Sequence, residues 1–287
     1  MTDRRRFWSD ATEAEIAEAC RLHGLRLVKQ DDQRIVLPVA DLLATPDGAR
    51  ERQLLRGQVF TIRAITGDGW AYGEARADRY SGWVGQGAVS GHPSRSPTHR
   101  VSAAQSYAKT SKGLKAPGPV TPLSLGSELV VLGKDDGWAR VAWAHDDPGA
   151  DLFVPAVHLC PIDTQEKDPV TIAERLIGTP YLWGGNSAFG LDCSALVQIA
   201  CHACGIACPG DSDQQAAVLG RTLAEDAPLA RGDLLFWEGH VAWVSDPGTL
   251  LHANAHHMAV TFEPIATALP RIEAQGDGRP TRRARLG

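Results

Sequence analysis

The 287-residue chain lacks any uninterrupted apolar run of about 18 residues, so no helix in it is expected to span a bilayer. It also lacks a basic excess: 29 lysines and arginines stand against 34 acidic residues, a net charge of −5. A fold-wide nucleic-acid role is disfavoured, because such domains carry surplus positive charge. Arg4-Arg5-Arg6-Phe7 superficially resembles a twin-arginine export signal, but the apolar stretch that must follow is missing. Asp10, Glu13, Glu15 and Glu18 stand there instead. Nor does any cysteine follow an apolar run, where a lipoprotein anchor would need it. A cytoplasmic location is therefore expected, with the six cysteines as thiols. Cys201-His202-Ala203-Cys204 imitates a zinc motif, yet no second Cys-x-x-Cys supplies the partner segment. Neither metal nor cofactor is expected. On one helix, positions 193, 201 and 204 fall within about 80° of each other. Leu196, Val197 and Ala200 share that face, which assigns Cys201 and Cys204 to the core, while Cys20, Cys160 and Cys208 receive no role.

What is present, 43% hydrophobic and 22% charged residues, can fill one large core or two to three small ones. Thr12-x-x-Glu15 reads as a capping box before a short amphipathic helix that ends at Gly24. Strand and turn signals follow. Gly57, the turn Gly67-Asp68-Gly69-Trp70 and Trp83-Val84 are matched by Gly126, Asp135-Asp136-Gly137-Trp138 and Phe153-Val154. Glycine to turn tryptophan is 13 residues in one copy and 12 in the other. Two small β modules in tandem explain this period, joined by the turn-rich Gly91-His92-Pro93-Ser94-Arg95-Ser96-Pro97. Asp168-Pro169 then opens a helix, and the pattern runs helix, helix, helix, then strands at 234–237, 241–245, 249–253 and 258–262. That order predicts an α+β layer domain. The expected organisation is a helical segment at 1–34, β modules at 35–92 and 93–162, an α+β domain at 163–275, and a frayed Arg-rich tail at 276–287.

Chemistry concentrates in the α+β domain. Asp192-Cys193-Ser194 sits where a loop containing Gly184, Gly185 and Gly190 turns into an apolar helix. A helix N-terminus favours thiolate over thiol, so a lowered pKa is expected for Cys193. A nucleophilic cysteine also needs a base, and a group that orients the base. His240 and His252 fall on adjacent predicted strands and can supply both. His256 and His257 compete with His252, but only His252 lies within the strand pattern.

Thr179-Pro180-Tyr181-Leu182-Trp183-Gly184-Gly185, Leu191 through Gln198, Arg231 through Trp237, Gly239-His240-Val241-Ala242 and Leu251-His252-Ala253 form ordered blocks. Together they resemble the NlpC/P60 cysteine peptidases, and the paired β modules resemble the bacterial SH3-type repeats often joined to that domain. The resemblance runs from about residue 36 to 268. It implies a multidomain fold, two all-β SH3-like barrels followed by an α+β papain-like domain. It further implies a γ-D-glutamyl-L-diamino acid endopeptidase acting on small murein peptides in peptidoglycan recycling, without nucleic-acid or membrane partners. Carried over by position, it makes Cys193 the nucleophile, His240 the base and His252 the third member. Asp192 would help bind the free amine of L-Ala, and Tyr80 from the first module would close that end of the site. Tyr181 and Trp183 would line the cleft, and Ser194 and Ser212 would contact the D-Glu carboxylate. Gly210 departs from the pattern, standing where many relatives have arginine.

Blander readings exist for several of these residues. Asp192 can serve as an N-cap, Ser212 opens its own capping box with Gln215, and Tyr80 can pack a hairpin. The rival functions are a cysteine amidase or acyltransferase on the same scaffold, and a non-catalytic wall-binding protein.

Overall fold

Thr12 and Glu15 cap α1 (Glu13–His23) reciprocally: the Thr12 hydroxyl accepts from the Glu15 N–H, and the Glu15 carboxylate accepts from the Thr12 N–H. Gly24 ends the helix in the left-handed region, at φ 60°. This computed structural model describes residues 2–90, 95–143 and 151–287, so Gly91 to Ser94 of the expected connector lie outside the described residues. The chain divides into two units, Met1–Thr164 and Gln165–Gly287.

In the first unit the helical segment expected to reach residue 34 stops at His23. β1 (Arg26–Ile35) takes its place and pairs with two neighbours. Its register breaks between Leu27 and Asp31, and its polar run from Lys29 to Arg34 hides the usual strand alternation. With β2 (Val39–Leu43), β3 (Arg50–Leu55), β4 (Val59–Ile65), β5 (Trp70–Ala75), β6 (Ser81–Gly85) and β7 (Val89–Ser90) it forms an antiparallel sheet. The second sheet comprises β8 (His99–Val101), β9 (Gln105–Lys109), β10 (Val120–Ser124), β11 (Glu128–Asp135), β12 (Trp138–Ala142), β13 (Leu152–Pro155) and β14 (Leu159–Pro161). Among the described residues the strand orders are β3-β2-β6-β5-β4-β1-β7 and β10-β9-β13-β12-β11-β8-β14. Adding seven to each label of the first gives the second. The spacing repeat seen in the sequence is thus a repeat of topology.

Gly57 and Gly126 occupy the same place before β4 and β11, with φ of 86° and 89°. At Gly57 a Cβ would also meet the Glu128 carbonyl at 2.3 Å, so glycine alone fits. Ile35, Leu42, Phe60 and Val84 fill the first core, and Val101, Leu123, Val141 and Val154 the second. Arg56 joins the two sheets. Its guanidinium lies 3.4 Å from the Trp143 ring centroid and donates to the carbonyls of Val36 and Trp143.

The second unit follows the expected order of helices, then strands. Asp168 caps α2 (Pro169–Glu174), with proline at the first helical position. A two-strand ladder, β15 (Asn186–Ser187) and β16 (Gly190–Leu191), leads into α3 (Cys193–Ala203), followed by α4 (Ser212–Val218). The main sheet runs β17 (Arg221–Thr222), β22 (Arg282–Arg285), β18 (Asp233–Trp237), β19 (His240–Asp246), β20 (Thr249–Asn254), β21 (Ala259–Pro264). α5 (Ile265–Ile272) packs Ala268 and Ile272 against it.

Three expectations change here. The tail is not frayed: β22 is an internal strand, Ala284 is fully buried, and Arg285 pairs with the buried Asp233. Cys201 is core, as expected, but Cys204 ends α3 half-buried. Ser212 does not cap α4, because Asp211 holds the N-cap position and Ser212 is the first helical residue. The Gln215 side chain is engaged elsewhere, donating to the carbonyls of Ser194 and Pro209.

Candidate active site

The loop before α3 approaches its own backbone closely enough to require glycine. A Cβ on Gly185 would meet the Gly190 carbonyl at 2.6 Å. Asp192 then ties this loop to the helix. Its Oδ1 accepts from the Ala195 N–H at 2.8 Å and the Ser194 hydroxyl at 3.0 Å, and its Oδ2 accepts from the Gly184 N–H at 3.0 Å. Asp192 is therefore the N-cap of the bland reading. Ser194, buried, gives its hydroxyl to that cap.

Cys193 follows as the first residue of α3, 7% exposed. Its sulfur lies 3.9 Å from the Gly239 carbonyl, and the Val241 N–H faces it. Gly239 and Val241 bracket His240, so the helix start and the start of β19 meet at the sulfur. The expected low thiol pKa is corrected by this burial. Desolvation, and secondarily the charge of Asp192, push the Cys193 thiol up to about 12 against the backbone N–H groups that favour the thiolate. Burial thus favours the thiol form of Cys193. Burial, first, also brings His240 down to about 3 and His252 down to about 4, so both rings are neutral near pH 7.

His240 Nε2 lies 3.0 Å from His252 Nδ1, and His252 is fully buried. The two expected partners of Cys193 are thereby joined. His257 instead engages the Asn254 side chain through its N–H and Nδ1, and His256 packs edge-on against His257. Tyr181 is half-buried, and its phenol is raised well above the usual range, chiefly by burial and then by Cys193 and Asp192. A phenol held protonated beside the sulfur is a hydrogen-bond donor. With His240, Glu238, Asn254, His256 and Arg271 it lines a pocket of about 370 Å³. Trp183 is 71% exposed. Tyr80 belongs to the first unit, where its ring is buried, Arg52 lies over it and its hydroxyl reaches Glu51 at 3.5 Å.

Two residues escape the sequence reading. Glu263 Oε2 lies 3.0 Å from His252 Nε2, and Arg271 grips the same carboxylate at 2.8 and 2.6 Å. The register shows how this arises. His252 stands opposite Thr261 and Leu250 opposite Glu263, so Glu263 is a diagonal neighbour on the face that carries His252. The sequence offers only a glutamate in the strand that follows His252 as a signal. It was masked because Thr261-Phe262-Glu263-Pro264 reads as an ordinary strand end.

Residues 178–272 match the NlpC/P60 family, and residues 42–89 match the bacterial dipeptidyl-peptidase Sh3 domain. Over 142 residues the chain is 31% identical to a γ-D-glutamyl-L-lysine dipeptidyl-peptidase of Bacillus subtilis strain 168, covering 46% of each. Over 118 residues it is 30% identical to dipeptidyl-peptidase 6 of Lysinibacillus sphaericus, covering 41% of each. The chain thus spans less than half the length of these relatives. An NlpC/P60 family protein from Bacillus cereus ATCC 10987 superposes with a TM-score of 0.73 at 19% identity, over 89% of this chain and 99% of that one. At that identity the likeness establishes the fold. The two domain matches and the likeness of fold agree: this chain carries an NlpC/P60 domain of papain-like fold, with a bacterial Sh3-type domain in its N-terminal region.

Proposed function

We propose that this protein is a cysteine peptidase that hydrolyses the γ-D-glutamyl–diamino acid bond of small murein peptides carrying a free N-terminal L-Ala. The observation that carries this reading is Cys193 at the α3 N-terminus, bracketed by the backbone on either side of His240, with His252 behind His240. The names of the curated relatives support the choice of bond.

The Cys193 sulfur attacks the γ-carbonyl carbon as its proton passes to His240. Backbone N–H groups at the start of α3, with the Tyr181 hydroxyl, hold the developing oxyanion. Collapse breaks the C–N bond, and His240 returns its proton to the leaving amine. Water then attacks the thioester with His240 as base, releasing L-Ala-γ-D-Glu and regenerating the thiol. Asp192 places a carboxylate beside the site, and the ammonium of L-Ala is its natural counter-charge. By its resemblance to the family pattern, Ser212 would contact the D-Glu carboxylate. We read the second sheet as a further SH3-type module. An enzyme that demands a free amine takes soluble fragments rather than polymer, which is the logic of recycling.

Incubation with L-Ala-γ-D-Glu-diaminopimelate and with its N-acetyl form tests this. Free diaminopimelate and L-Ala-γ-D-Glu are expected from the first, and a rate about 100-fold lower from the second, since blocking removes a charge pair at Asp192. Absence of free diaminopimelate overturns the peptidase assignment. Equal rates overturn the role of the amine.

A further inference from the structure

Four side chains lie in a row behind the nucleophile: His240, His252, Glu263 and Arg271, drawn from β19, β20, β21 and α5. Hydrogen-bond chemistry leaves this row one consistent arrangement when both rings are neutral. Arg271 donates Nε to one carboxylate oxygen of Glu263 and Nη2 to the other, at 2.8 and 2.6 Å, and this clamp holds Glu263 ionised. An ionised carboxylate only accepts. His252 must therefore carry its proton on Nε2, where it donates to Glu263 across 3.0 Å. A neutral imidazole has one N–H, so His252 Nδ1 is bare and must accept. The group within reach is His240 Nε2, at 3.0 Å, which must then carry its own proton there. Nδ1 of His240 is left as the basic nitrogen of that ring.

From this geometry we infer that Glu263, clamped by Arg271, is a positioning residue that sets the tautomers of both histidines and so presents His240 to the thiol as a base. Glu263 touches neither sulfur nor substrate. It acts through His252, as the acidic member of a Ser-His-Asp triad acts through one imidazole; here a second imidazole is interposed. In its absence His252 can protonate on Nδ1, which turns the His240 proton round to Nδ1 and removes the base. The inference rests on the peptidase reading only for its kinetic consequence, because the tautomers belong to the substrate-free protein.

Long-range ¹H–¹⁵N correlation of the histidine rings in the intact, substrate-free protein at neutral pH tests it directly. His240 and His252 are both expected as Nε2–H tautomers. In Glu263→Gln the side-chain amide can donate to His252 Nε2, so Nδ1–H forms are expected at both rings. The kcat on the tripeptide should fall about 100-fold with KM within twofold, the pattern of a base lost from a formed site. Arg271→Lys retains the charge without the two-point clamp and is expected to lie between the two. Should Glu263→Gln fail to fold, the wild-type spectrum and Arg271→Lys still decide. An Nδ1–H tautomer at His252 in the wild type overturns the inference, as does a folded Glu263→Gln whose kcat stays within twofold. Loss of peptidase activity in every variant and in the wild type, with the expected tautomers present, would count against the substrate and leave the positioning role standing.

Discussion

Cys193→Ala is expected to lower the rate of diamino acid release by about 10⁵-fold or more, while the midpoint of thermal unfolding moves by only a few degrees. Both halves follow from the same geometry. In the proposed mechanism the sulfur atom forms and breaks the bond to the acyl group. Oxyanion donors and binding groups remain in the variant, but without an attacking atom they stabilise nothing on the covalent path. The structural cost is small, because the side chain is short and its polar contacts are a 3.9 Å approach to the Gly239 carbonyl and backbone N–H groups such as that of Val241. Asp192 still caps α3 through Ala195, independently of the sulfur. Cys193→Ser should be nearly as inactive, since a serine hydroxyl is harder to deprotonate than a thiol that burial already holds at about 12. Steady-state kinetics beside thermal melts check both expectations. A Cys193→Ala protein that retains activity within tenfold of the wild type contradicts the assignment.

Deleting residues 279–287 is expected to lower the unfolding midpoint of the Gln165–Gly287 unit by roughly 10 °C and leave that of the Met1–Thr164 unit in place. The deletion removes an interior strand of the sheet, exposing the edges of β17 and β18 at once. It strips Ala284 from the core. Most of all, it leaves the carboxylate of Asp233 buried with the Ala230 N–H but without the two donors of Arg285, at 2.7 and 2.8 Å. A buried carboxylate stripped of its cation is among the costlier single lesions in a fold. Arg282 adds to the effect through its donations to the carbonyls of Ala216 and Gly220, which hold the segment after α4. Scanning calorimetry distinguishes the two units, and an unchanged profile would contradict the strand's structural role.

These two experiments mark where sequence reasoning succeeds and where it stops. The Asp192-Cys193-Ser194 block, His240 and His252 are legible because chemistry dictates residue type and short-range order at each. The tandem β modules are legible because turn glycines and tryptophans repeat at nearly fixed spacing. β1 and β22 are not, since both are polar along much of their length and owe their place to neighbours distant in sequence. Glu263 and Arg271 are hidden for a related reason: a glutamate at a strand end and an arginine on a helix resemble surface residues until register and packing turn them inward. The thiol of Cys193 departs from its expected low pKa because a helix start favours the thiolate while burial opposes it, and a sequence shows the first and conceals the second. Ser212 shows the same limit in miniature, as the capping motif is present but Asp211 takes the position.

The identity of the nucleophile is tested most directly by the mass of the protein quenched in acid during turnover of L-Ala-γ-D-Glu-diaminopimelate. A thioester should be found on the peptide containing Cys193, bearing the L-Ala-γ-D-Glu acyl group, its amount rising with the first turnover and vanishing as substrate is exhausted. Release of diaminopimelate with no acylated Cys193 at any quench time, or with the acyl group on another residue, would contradict it.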